Sequence, residues 1–203
     1  MLRVPALRLW PLAVLLVACS EKSPDPGDEK PKSDVVIPLE IKPGDFVAEK
    51  QPMKMLGPGD AIQLVSAPQG GHVIHIGARV KGLGGDVVNI QTRLLDPTSH
   101  EIRMQEGRDI VMKPVPGEPE WKEPDLRSVS QVTHIPACPN YDVSPILDAA
   151  FDLEVVIQEV DGPGQGSSTL AVKPGCLQTD PSKLAQCKCE CEPNYALGKC
   201  TGT

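Results

Sequence analysis

Residues 151–158 read Phe-Asp-Leu-Glu-Val-Val-Ile-Gln, and this stretch carries the pattern on which the fold prediction rests. Phe151, Leu153, Val155 and Ile157 occupy alternate positions, with polar or charged residues at most of the positions between them. Successive side chains of a strand point to opposite faces, so this period of two predicts a β-strand with one apolar and one polar face.

The same alternation recurs on both sides of this stretch, most clearly in residues 35–41, 74–80, 88–94 and 170–172. Weaker candidates are 61–66, 102–104, 110–113 and 129–135. Turn residues separate the runs, the loop 114–124 is expected to be irregular, and no convincing helical stretch of ten residues is present. Seven or eight short strands of this kind predict an all-β domain, an antiparallel β-sandwich, over residues 35–176.

The first eighteen residues predict an export signal. Arg3 and Arg8 form a basic start, and residues 9–18 form an apolar run of ten residues. A membrane-spanning helix needs roughly 20 apolar residues, so this run is too short to cross a bilayer. Residues 1–18 are therefore interpreted as a signal peptide.

The run ends in Leu16-Val17-Ala18-Cys19, which resembles the lipobox of bacterial lipoprotein precursors. The resemblance implies cleavage before Cys19, a lipid thioether on its sulfur, and attachment to a membrane through that lipid. Ser20 is similar to the outer-membrane-sorted class, so the expected location is the cell envelope, as an outer-membrane lipoprotein facing the periplasm or the cell surface. The alternative is an ordinary secretory signal with a chance cysteine near the cut.

Residues 19–34 are expected to form a lipidated, disordered tether, because positions 20–34 contain no aliphatic or aromatic side chain that a core needs. The full chain has 20 basic and 27 acidic residues. Without Arg3 and Arg8 the basic count becomes 18, which gives a formal charge of −9. This balance argues against nucleic acid or anionic lipid as the partner, since both require a basic patch.

Seven cysteines are present, an odd number that would leave one thiol unpaired in an oxidising compartment. Assigning Cys19 to lipid leaves an even set that predicts a disulfide framework. The set is Cys138, Cys176, Cys187, Cys189, Cys191 and Cys200.

Three motifs carry a further resemblance: Gln-Gly-Gly-His-Val-Ile at 69–74, Ile-Pro-Ala-Cys-Pro at 135–139 and Val-Lys-Pro-Gly-Cys at 172–176. Together they resemble a group of uncharacterised myxobacterial lipoproteins with immunoglobulin-like domains, over residues 60–176. The resemblance implies an immunoglobulin-like β-sandwich with Cys138 and Cys176 as disulfide partners. The group has no agreed activity, so it implies no catalytic residue.

Residues 177–203 form a cysteine-rich tail that allows two interpretations. As a disulfide knot, its four cysteines would pair in two bridges. In an extended segment, residues two apart lie about 6–7 Å from each other, near or beyond the limit for a bridge, so partners are expected from Cys200 and across a turn. The stretch from Cys189 to Cys200 resembles the closing half of an EGF-like module whose first half is missing. As a soft-metal site, Cys187, Cys189 and Cys191 would instead present thiolates to Cu(I) or Zn(II), although an oxidising compartment disfavours free thiolates.

Four histidines are present: His72, His75, His100 and His134. His72 and His75 are three residues apart, so on a strand they face opposite sides and do not chelate one ion together. They are expected at an edge or surface, and Asp152 and Glu154 on the solvent side of a strand. No G-x-S-x-G, H-E-x-x-H, P-loop or EF-hand pattern is found in the sequence.

The sequence therefore predicts a noncatalytic cell-envelope lipoprotein with a binding or structural role and no cofactor. Its partner, a protein or a glycan, is not identified by any motif. The alternative is a periplasmic metal-handling protein that uses the cysteine tail, and an enzyme comes third.

Overall fold

The computed structural model describes residues 36–139 and 145–200, so the predicted signal 1–18, the tether 19–34 and Cys19 lie outside the described residues. The described part is mostly β, as the alternating pattern predicts. The strands and the helix are β1 (Ile37–Pro38), β2 (Glu40–Asp45), β3 (Lys54–Met55), β4 (Asp60–Gln63), β5 (Val65–Ser66), β6 (His72–Lys81), β7 (Val87–Leu95), β8 (Ile102–Val115), β9 (Glu118–Pro124), β10 (Thr133–Cys138), β11 (Phe151–Glu159), β12 (Gly164–Gly175) and α1 (Pro181–Glu190).

The strands form one large mixed sheet in the order β1-β12-β11-β7-β8-β9-β6-β2-β3. Off this path, β5 and β10 pair with β6, and β4 pairs with β12. The prediction of purely antiparallel pairing is wrong at two places, because β1 and β4 both run parallel to β12. The order has two free ends, β1 and β3, so the sheet is open.

Alternate side chains of the long strands meet in one hydrophobic cluster, which also includes Cys187 of α1 and Cys191 directly after the helix. From β6, β7 and β11 it takes Ile74, Ile76, Ala78, Val80, Val88, Ile90, Leu94, Leu153, Val155 and Ile157. These are the positions that the period of two assigns to the apolar faces. Burial of apolar surface at about 25 cal/mol per Å² makes this cluster the main source of stability.

Residues 114–124 were expected to be irregular, and this prediction is wrong. β8 continues to Val115, and β9 returns antiparallel to it after a turn in which Gly117 has a φ of +82°. The weak candidates 102–104 and 110–113 are two parts of the single strand β8. Prolines and charged residues mask the alternation there, since the outer face of this hairpin is polar.

The expectation that no ten-residue helix exists is also wrong, because α1 spans ten residues. Asp180 caps it, with its Oδ1 accepting hydrogen bonds from Ser182 N at 2.9 Å and Lys183 N at 3.1 Å. Pro181 occupies the first turn, where its missing N–H costs nothing. The only buried residue within the helix is Cys187, so no aliphatic stripe marks the helix in the sequence.

A buried carboxylate ties together two glycine-rich turns at one end of the sheet. Glu159 is 4% exposed, and its Oε1 and Oε2 accept hydrogen bonds from Gly85 N at 2.8 Å and Gly164 N at 2.9 Å. Burial alone would raise the pKa of Glu159, but the backbone amides, including that of Gly84, hold it below its ordinary value. A Cβ on Gly164 would lie 2.6 Å from Oε2, so the carboxylate requires glycine there.

Candidate functional site

The outer face of β7, β8 and β11 carries a polar depression of about 420 Å³. It is centred where Gly107 of β8 lies opposite Gln91 of β7. Since glycine has no side chain, the middle of this face is left open between its neighbours. The depression is lined by Asn89, Gln91, Thr92, Arg93, Gln105, Glu106 and Gly107.

The polar side chains of this face bind one another, and its arginine is paired with an acidic residue. Arg93 donates from Nη1 to Glu154 Oε2 at 2.8 Å and from Nη2 to Gln91 Oε1 at 2.9 Å. Asn89 donates from Nδ2 to Asp109 Oδ1 at 2.8 Å. The buried Nε of Arg93 has no hydrogen-bond partner among the described residues, so one donor is left over. The face therefore offers the side-chain amides of Asn89, Gln91 and Gln105, and its one lining cation, Arg93, is already paired with Glu154.

The structure pairs all six cysteines of the predicted framework in three disulfides: Cys138–Cys191, Cys176–Cys187 and Cys189–Cys200. Their Cα–Cα distances are 5.0, 5.8 and 6.0 Å, within the range for a bridge.

Two expectations about the pairing are wrong. Cys138 and Cys176 are not partners of each other. The tail contains one internal bridge, Cys189–Cys200, instead of the two expected, because Cys187 and Cys191 pair with Cys176 and Cys138. The physical reason is the helix. Residues 187 and 191 are four apart and lie on one face of α1, which turns toward the core, while Cys189 lies on another side.

His72 lies beneath this face of the helix, at the start of β6. It is 1% exposed, and its Nε2 is 3.2 Å from the Ser66 hydroxyl oxygen. One of its ring nitrogens and the sulfur atoms of Cys187 and Cys191 all lie within 4.8 Å of one another. The expectation of an edge or surface histidine is therefore wrong for His72.

Glu190, the last residue of α1, lies beside this histidine, with its Oε2 3.1 Å from His72 Nδ1. Its Oε1 accepts a hydrogen bond from Gln186 at 2.8 Å. Burial lowers the pKa of His72, and the charge of Glu190 opposes this without reversing it.

The predicted metal set of Cys187, Cys189 and Cys191 does not exist in this form of the chain. Each of the three sulfurs is bonded to another cysteine, whereas soft-metal ligands must be thiolates. The histidine that does lie beside two of them comes from a strand more than a hundred residues upstream. Nothing in the local sequence of the tail indicates it.

A second buried histidine, His75, is 7% exposed, so the surface expectation is wrong for it as well. Its ring packs against those of His134 at 4.7 Å and Phe46 at 6.2 Å, between centroids. Burial, with the neighbouring His134, lowers the pKa of His75 to about 4. His75 and His72 lie on different faces of β6, as their spacing predicts.

No protein-family model and no curated protein matches this chain. Within residues 36–139 and 145–200, no helix has the length and apolar character needed to cross a membrane.

Proposed function

We propose that this chain is a noncatalytic lipoprotein of the bacterial cell envelope, whose β domain binds an uncharged, polyhydroxylated ligand of the polysaccharide class. The observation that carries the proposal is the open, amide-rich polar face around Gly107. The predicted lipid on Cys19 would hold this face at a membrane.

The cysteine pairing supports export. Disulfides persist in oxidising compartments and are rare in the reducing cytosol. All six cysteines among the described residues are bonded in pairs, which leaves Cys19 as the remaining cysteine of the seven. An even bonded set plus one cysteine at the end of a lipobox is the composition that a lipoprotein would have.

The immunoglobulin-like sandwich belongs to this proposal. Its support is that inner side chains of β6 and of β7 and β11 pack in the same cluster although these strands are not neighbours in the sheet. The long strand β8 pairs with β7 at its start and with β9 at its end, which lets one sheet turn over onto the other. Two packed layers with polar outer faces result from such an arrangement.

The ligand class follows from the side chains of the depression. Amide groups donate and accept hydrogen bonds, as hydroxyl-rich ligands require. Arg93 is neutralised by Glu154, which disfavours an anionic ligand. The cores of protein interfaces are enriched in aromatic residues and methionine, and the lining of this depression contains neither. A neutral polysaccharide fits this chemistry better than a protein partner.

The anchor is tested by labelling cells that express the full chain with a clickable palmitate analogue and fractionating the envelope. The unchanged chain is expected to take up label and to enter the membrane fraction, and Cys19→Ala is expected to lose both properties. Cys200→Ser is the matched control, since it removes a cysteine of the tail and should keep the label. Label that persists in Cys19→Ala would contradict the anchor.

The binding face is tested by measuring retention of the purified chain on a panel of neutral envelope polysaccharides. Gln91→Ala removes hydrogen bonds worth about 1 kcal/mol, so affinity should fall about fivefold. Gly107→Leu fills the depression and should abolish binding. Gln165→Ala, an exposed glutamine on β12, is the control and should bind normally. Equal binding by all three variants would show that this face is not the site.

A further inference from the structure

Two disulfides lie beside one buried histidine, His72, beneath α1. Cys187 and Cys191 are bonded to Cys176 and Cys138, and the sulfurs of Cys187 and Cys191 lie within 4.8 Å of a ring nitrogen of His72. Cys187 is 0% exposed and Cys191 is 6% exposed. Reduction of both bonds would free the thiols of Cys187 and Cys191 beside the imidazole of His72, with the thiols of Cys138 and Cys176 next to them.

The distances suit a tetrahedral metal ion. Zn–S and Zn–N bonds of about 2.3 and 2.0–2.1 Å place neighbouring ligand atoms roughly 3.5–3.8 Å apart. The histidine nitrogen and the sulfurs of Cys187 and Cys191 already lie within 4.8 Å of one another while the sulfurs are held by their partners. Once these bonds open, rotation about the Cα–Cβ bonds allows the sulfurs and the nitrogen to approach one another to the separation that the metal requires.

Both ring nitrogens of His72 lie beside polar groups: Nε2 is 3.2 Å from the Ser66 hydroxyl oxygen and Nδ1 is 3.1 Å from Glu190 Oε2. When one nitrogen binds the metal, the other keeps a polar partner that orients the ring, as outer partners of metal-binding histidines do.

We propose that the reduced chain binds one Zn(II) ion through His72, Cys187 and Cys191, with the fourth ligand supplied by Cys138 or Cys176. Each disulfide takes two electrons and two protons from a dithiol reductant, which is oxidised to its own cyclic disulfide. The metal then displaces three protons from three of the four thiols. In this state zinc replaces the two covalent bonds that hold α1 against the sheet.

This site differs from the linear set Cys187, Cys189 and Cys191. Cys189 is bonded to Cys200 on another side of the helix. The two sets therefore predict opposite results for the same variants: loss of Cys189 and Cys200 leaves the His72 site intact and destroys the linear one.

The test uses the purified full chain, reduced with dithiothreitol under anaerobic conditions and then freed of reductant by gel filtration. Zinc stoichiometry and affinity are measured by competition with a chromophoric chelator, and ligand type by the optical spectrum of the Co(II)-substituted chain. The oxidised chain should bind no zinc tightly. The reduced chain should bind one equivalent, and its cobalt form should show tetrahedral bands with thiolate charge transfer.

Two variants assign the ligands. His72→Gln should weaken zinc binding at least about tenfold, since even outer partners of a metal ligand contribute about that much. Cys189→Ser/Cys200→Ser is the matched control and should bind one zinc with unchanged affinity. Retained affinity in His72→Gln would overturn the proposal, because zinc would then be held by thiols alone. Lost binding in the control would overturn it in favour of the linear set, and so would the absence of any zinc in the reduced chain.

Discussion

Asp45 is a buried acid at the end of β2, and its replacement by asparagine tests the electrostatics of the interior directly. The residue is 2% exposed, and its Oδ2 accepts a hydrogen bond from Gln63 N at 3.1 Å. Its Oδ1 has no hydrogen-bond partner among the described residues. Burial raises the pKa of Asp45 from 3.8 to about 6, against the opposing effects of Gln63 and Lys54. We predict that Asp45→Asn stabilises the chain at pH 7 but has little effect at pH 4.

The magnitude follows from linkage between proton binding and folding. Between pH 3.8 and about 6, the folded chain holds a proton on Asp45 that the unfolded chain has released. Stability therefore falls as the pH rises through this window, and the difference in pKa corresponds to about 3 kcal/mol by pH 7. Asparagine keeps the acceptor for Gln63 and removes the buried charge. The variant should thus gain up to about 3 kcal/mol over the unchanged chain between pH 4 and pH 7.

The assay is urea unfolding at a series of pH values with the disulfides intact, followed by circular dichroism. Asp161→Asn is the matched control, because it removes the same charge at an exposed turn. Its stability difference from the unchanged chain should not vary over this pH range by more than a few tenths of a kcal/mol. If the Asp45→Asn difference is also constant between pH 4 and pH 7, the carboxylate is not buried as an acid and the reasoning fails.

Three further predictions concern other buried groups. Burial lowers the pKa of His75 to about 4, so the folded chain binds a proton there less readily than the unfolded chain. Stability is therefore lost as the pH falls from 6.5 to about 4. His75→Gln should remove about 3 kcal/mol of this loss in the same urea series. Glu159→Gln should cost about 1–3 kcal/mol in urea unfolding at pH 7, because the amides of Gly85 and Gly164 lose a charged acceptor. Glu154→Gln is the control, because it removes a charge at a part-exposed ion pair and should cost less than about 1 kcal/mol. Equal losses in Glu159→Gln and Glu154→Gln would contradict the role of Glu159 in holding the two glycine-rich turns. Cys138→Ala/Cys191→Ala opens a span of 53 residues and should lower the free energy of unfolding by about 4 kcal/mol. Cys176→Ala/Cys187→Ala opens a span of 11 residues and should lower it by about 3 kcal/mol. A reversed order of the two denaturant midpoints would contradict this pairing.

The strands of the core were predictable from the sequence because one physical rule governs them. In 74–80, 88–94 and 151–158, each apolar side chain at an alternate position is driven into the same interior, so period and burial coincide. The rule fails where the outer face does not contrast with the inner one. Residues 114–124 are mostly prolines and glutamates, with Val115 and Trp121 as the buried large apolar side chains, and a polar hairpin of this kind has the composition of a loop.

The polar face around Gly107 was not predictable in the same way. Its asparagine and glutamine side chains occupy the polar positions of ordinary strands, and the alternating pattern predicts only that such side chains face solvent. What makes the face distinctive is the register that places Gly107 opposite Gln91. Register depends on how two strands pair, and a single strand sequence does not contain it.

The disulfide pairing and the histidine cluster follow from the same tertiary event. A helix of ten residues is marginal by itself in water, so α1 gains its stability from docking on the sheet. Only when it is docked do Cys187 and Cys191, one turn apart, face Cys176, Cys138 and His72 together. An extended tail instead brings residues two apart onto one side, which is why the linear set of cysteines was predicted as a unit. The cysteines that hold the helix are thus the cysteines that would bind the metal. Opening the two disulfides removes the covalent attachment of α1 to the sheet. The same reaction frees the thiols through which a bound metal would attach the helix again.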